Sequence, residues 1–88
     1  NEIGRRYTTD DSTCIDGNIF VGLEAIIPHQ ETEHILKIDA DNLNFLKSIH
    51  TDGVPNDVCC YGVFPLNTNI VALFATEPGI MKVYDSHL

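Results

Sequence analysis

The chain has 88 residues, 43% of them hydrophobic, with five basic residues against thirteen acidic ones and a formal net charge of −8. That length holds one hydrophobic core and not two, and the apolar fraction is that of a globular chain. No apolar run nears the ~20 residues of a membrane-spanning helix. The scattered bases Arg5, Arg6, Lys37, Lys47 and Lys82 form no stripe to meet nucleic-acid phosphates or an anionic bilayer.

Residues 1–11 are polar and read as an N-terminal arm or a weak edge strand, with a single α+β domain over 12–88. Asp16-Gly17 lies between two β-capable flanks, a favoured two-residue hairpin turn because both positions need φ > 0. "NIFVGLEAIIP" follows. Ile19, Val21, Leu23, Ala25 and Ile27 alternate on one face, which predicts a long strand with that face on the core and a mixed face of Phe20, Gly22, Glu24 and Ile26. "PHQETE" reads as a polar turn and "HILKID" as a second strand.

The stretch "DADNLNFLKSIHTDG" predicts the one main helix. Asp39 is placed as its N-cap, and Leu43, Leu46 and Ile49 recur at helical spacing with Phe45 beside them. Gly53 and Pro55 supply the stop. A three-stranded meander is expected beyond it. "DVCCYGVF" turns through "PLNTN" into "IVALFA", and "TEPG" offers Pro78-Gly79 for a type II turn into "IMKVYD". Its first two strands are apolar on both sides, which predicts that both are central and covered on both faces. One helix covers one face only, so the other calls for the N-terminal arm or another chain.

The expected whole is a single-layer antiparallel sheet of five to six strands with one main helix. This element order resembles the ββαβββ order of profilin-like, longin-like and roadblock-like modules. That resemblance implies a scaffold, an assembly factor or a dimeric adaptor.

Candidate chemistry is sparse. Cys59 and Cys60 are adjacent, whereas cysteine metal sites space their ligands as C-x₂₋₄-C. Neighbours in a strand point to opposite faces, so the doublet reads as core rather than as a chelate or a disulfide. His29 and His34 are five apart, not the i, i+4 of a helical metal pair. Asp39 and Asp41 mimic the start of a calcium loop, but Asn44 and His50 stand where glycine and a bidentate acid are required. No cofactor is expected. The scattered glycines Gly22 and Gly62 sit inside strands, where glycine marks a bulge or the close approach of another backbone or a ring.

Three cysteines are too few for a stapled secreted scaffold, and Asn67-Thr68-Asn69 fails as a glycosylation acceptor. The start "NEIGRRYTTDD" has no apolar stretch behind its arginines, so no signal peptide is expected. These features point to an intracellular protein, cytoplasmic or nuclear. The expected function is a non-catalytic protein-interaction module, a subunit or assembly factor of a larger complex or a homodimer. Phe64, Phe74, Met81 and Tyr84 are its interface candidates. The alternatives are a small acidic inhibitor or antagonist, virus-encoded in one version, on a basic site of a target protein, and a cysteine-dependent enzyme with Cys14 or Cys59 beside His50.

Overall fold

The computed structural model describes residues 7–25, 33–55, 58–85 and 87–88. Seven strands run in chain order: β1 (Tyr7–Ile15), β2 (Asn18–Ala25), β3 (Ile35–Asp39), β4 (Phe45–Ile49), β5 (Cys60–Leu66), β6 (Asn69–Phe74) and β7 (Ile80–Asp85). They form two antiparallel meanders, a four-stranded sheet β1-β2-β3-β4 and a three-stranded sheet β5-β6-β7. The α+β expectation is therefore corrected: among the described residues there is no helix, the sheet is not a single layer, and the ββαβββ resemblance falls with the helix. Among the described residues no helix is long and apolar enough to cross a membrane.

The segment expected as the helix is a hairpin. Asp39 Oδ1 accepts from the backbone N–H of Asp41 at 2.8 Å and of Asn42 at 3.4 Å. Those are the bonds a capping aspartate makes, but here they close a turn, and the chain returns as β4 against β3. At the first hairpin, Asp16 (φ 52) and Gly17 (φ 74) take the left-handed conformations that Asp-Gly predicted. At the last connection Gly79 lacks the positive φ of a type II turn, and the Glu77–Pro78 bond is cis. The predicted turn over 28–33 and the end of the long strand at 26–28 lie outside the described residues, except for Glu33.

The two sheets share one core. Phe20, Ile35 and Ile49 come from the first sheet, Cys60, Val63, Ile70, Ala72 and Phe74 from the second, and Val54 from the loop between them. β2 is buried on both faces: Val21 and Leu23, on the face expected to be inward, are buried, but the face turned to this cluster is that of Phe20 and Gly22, the one expected to be mixed. The reason is a fit between bulges. In β1 the register skips from Thr9 to Ser12, so Asp10 and Asp11 together oppose Gly22. In β5 it skips between Cys60 and Gly62, leaving Tyr61 unpaired. The bare Gly22 admits the backbone of β5: a Cβ there would lie 2.2 Å from the Cys60 carbonyl oxygen. The Asp11 carboxylate accepts from the Val63 N–H at 3.1 Å across the same junction.

Lys37 holds Leu88, and His34 holds the loop from Thr51 to Pro55. Lys37 sits 5.8 Å from the Phe20 ring centroid and donates to the Leu88 carbonyl at 2.7 Å. His34 Nδ1 accepts from the Thr51 N–H at 3.0 Å, so the ring proton is on Nε2 and is directed at the Pro55 carbonyl at 3.3 Å. The ring stacks on His50 and meets Phe74 edge-on.

Candidate functional site

The cross-strand register sorts the second sheet into two faces, because residues opposite one another in an antiparallel ladder share a side. Val63, Ala72 and Lys82 align on the core side, as do Cys60, Phe74 and Ile80. Phe64, Val71 and Val83 align on the other side, flanked by Gly62, Leu73 and Met81 and by Leu66, Asn69 and Asp85. This outer face is apolar over all three strands, and Asp85 at its end carries its one charge. Val71 is buried beneath its neighbours, while Met81 is 63% exposed, Leu66 54%, Val83 52% and Phe64 42%.

The four sequence-predicted interface residues divide between the two faces. Phe64 and Met81 lie on the exposed outer face. Phe74 is fully buried in the core and has no surface to offer a partner. Tyr84 also faces inward, packs against the core, and its hydroxyl is hydrogen-bonded to Thr51 Oγ1. Leu66 and Val83 belong to the face and were missed; period-two reading of "IMKVYD" already aligns Val83 with Met81.

The expectation that the first two strands of the meander are central and doubly covered holds only in part: one of them is central, and no layer of described residues covers the outer face of the sheet. β6 is central, with Ile70, Ala72 and Phe74 inward and Val71 buried outward. β5 is an edge, and its bulge breaks the alternation. Cys60 and Val63 both face the core, whereas Tyr61 and Phe64 are exposed.

The cysteine doublet lies at the junction of the sheets. The Cys59 thiol donates to Asp10 Oδ2 at 3.1 Å, and ligand atoms of Asp10, Glu24 and Cys59 lie within 4.8 Å of one another. Burial, then the hydrogen bond and negative charge of Asp10, push the Cys59 thiol up to about 12. Burial pushes Cys60 to about 11, and its thiol is directed at the Gly62 carbonyl. A cysteine nucleophile must be a thiolate, and with no cation bound this setting holds the proton on sulfur. His34, one of the histidines weighed as a metal ligand, has both ring nitrogens engaged, and desolvation lowers its pKa. His29 lies outside the described residues.

In comparisons with known proteins, no family model, no curated protein and no solved structure matches the chain.

Proposed function

We propose that the chain is a non-catalytic protein-interaction module, a subunit or assembly factor of a larger complex or a homodimer, that docks through the outer face of β5–β7. The observation that carries this reading is the contiguous apolar surface of Phe64, Leu66, Met81 and Val83 across three strands. Large exposed apolar patches are uncommon on monomeric proteins and mark docking sites, and Met and aromatic side chains are favoured at interface cores. A reducing compartment, cytoplasm or nucleus, suits the free thiols of Cys14, Cys59 and Cys60.

Val83→Lys places a charge on the exposed part of the face, on β7, without touching the core. Sedimentation velocity at micromolar concentration should show the wild-type chain associated, with itself or with a co-purifying partner, and the variant released with its urea midpoint retained. A wild-type chain that is strictly monomeric and carries no partner sinks the reading. The net charge of −8 favours a second one, an acidic antagonist on a basic site of a target protein. Its complex would weaken steeply with ionic strength, whereas one held by the apolar face would not.

A further inference from the structure

We propose that the tip of the β3–β4 hairpin is a docking element of its own, in which Leu43 enters an apolar pocket rimmed by Lys or Arg on a protein partner. The tip is held by its own hydrogen bonds. The Asp39 N–H donates to the Asn44 carbonyl at 2.9 Å, and the Leu43 N–H to the Asp39 carbonyl at 2.8 Å. Asp39 Oδ1 takes the Asp41 and Asn42 amides, and Asn42 Oδ1 takes the Asn44 amide at 2.9 Å. A loop fixed in this way loses little conformational entropy on binding.

At its apex Leu43 has φ 62 and is 71% exposed. Both facts oppose stability. The left-handed region disfavours any residue with a Cβ, a large branched one above all, while asparagine occupies it readily. Asparagines flank Leu43 on both sides, yet leucine holds the left-handed position. Its side chain then stands in water instead of in the core. Strain held at an exposed apolar side chain is a mark of recognition rather than of folding. Phe45 and Leu46 are also exposed, and Leu46 is the extra residue of a bulge between Lys37 and Ile38 of β3 and their partners in β4. They extend the apolar tip along the start of β4.

The charge at the tip selects the partner. Asp39 and Asp41 precede Leu43 within four residues, and the chain carries −8. An anionic bilayer repels such a tip. A leucine-sized pocket with a cationic rim complements it and is approached with electrostatic steering. The tip belongs to the four-stranded sheet, so the proposal does not rest on the β5–β7 face.

The test uses the full chain with a photoreactive amino acid at position 43, or at exposed Ser12 as control, irradiated in a lysate. The cross-linked protein is then purified, and its affinity is measured across a salt series for wild type, Leu43→Gly, Leu43→Asn, Asp41→Asn and Val83→Lys. We expect a product specific to position 43, at least tenfold weaker binding by both Leu43 variants, a shallower salt dependence for Asp41→Asn, and unchanged binding by Val83→Lys. Free Leu43→Gly and Leu43→Asn should melt several degrees above wild type, since the strain is relieved. The proposal is overturned by any of three results: no product beyond the Ser12 control, undiminished affinity of the Leu43 variants, or a lower melting temperature for both. Co-sedimentation with phosphatidylcholine vesicles that Leu43→Gly abolishes would also overturn it, in favour of a lipid surface.

Discussion

A methyl group at Gly22 would sit 2.2 Å from the Cys60 carbonyl oxygen, and backbone on both sides of that contact leaves nothing flexible to yield. Gly17 presents the opposite case, with φ 74 and open space around its missing Cβ. Gly17→Ala therefore costs backbone strain alone, about 1 kcal/mol. Gly22→Ala must part the sheets, and overpacking of that kind costs roughly 2–3 kcal/mol. Urea denaturation of the two variants should show the larger loss at Gly22; equal losses would mean that the junction is not tight. The thiols beside this junction obey the same burial. Cys14 is exposed, whereas Cys59 and Cys60 are held protonated up to about 12 and about 11. Titration with a thiol-reactive disulfide at mildly alkaline pH should find one fast thiol in the native chain and three in urea. Cys14→Ser should remove the fast phase, and a fast phase that survives the substitution would contradict the burial of the doublet.

Elements fixed by local chemistry were legible in the sequence. Asp16-Gly17 forms its turn because left-handed φ values at both positions suit few other residue pairs. Glycines inside strands do mark close approach at Gly22 and a bulge at Gly62. The segment from Asp39 to Ile49 was misread because its apolar spacing fits a helix, while what decides it is cross-strand pairing with β3 in a hairpin, which apolar periodicity does not report. Of the presumed stripe only Ile49 is buried; Leu43 and Leu46 face water. Aspartate and asparagine at 39, 41, 42 and 44 were the signal for a turn, since their side chains compete for backbone amides. The next connection, Thr51 to Pro55, is fastened by His34, whose neutral ring accepts at Nδ1 and donates at Nε2. Desolvation by burial, with the charge of His50 adding to it, lowers the His34 pKa below its ordinary 6.5. The unfolded chain thus takes up this proton first as the solution is acidified. The stability contribution is complete above about pH 6.5 and is lost as pH falls from there through the lower folded value. The urea midpoint should fall between about pH 7.5 and about pH 5. His34→Gln can offer the same acceptor and donor without titrating, so its profile should be flatter. An equally steep profile in that variant would assign the acid sensitivity to other groups.

For the molecule as a whole, the shared core makes a strong statement about cooperativity. The three-stranded sheet contributes Cys60, Val63, Ile70, Ala72 and Phe74 to a cluster that Phe20, Ile35 and Ile49 of the other sheet complete. Removing either sheet would leave the other with an apolar inner face in water, and the three-stranded sheet with two such faces. Its outer face makes no contribution to this closure, which is why Phe64, Leu66, Met81 and Val83 stay exposed there while the inner face is buried. The length of the chain pointed to one core but not to how two meanders would share it. The Gly22–Cys60 contact is the narrowest part of that sharing. The two sheets should then unfold together, with a total stability on the order of 5–10 kcal/mol. Native-state hydrogen exchange tests this directly. Amides of β2 and β6 should open with the same free energy, and Gly22→Ala should lower both by the same amount. Loss confined to the β2 amides, with β6 still protected, would show that the β5–β7 meander holds its own structure and that the junction only joins two separate units.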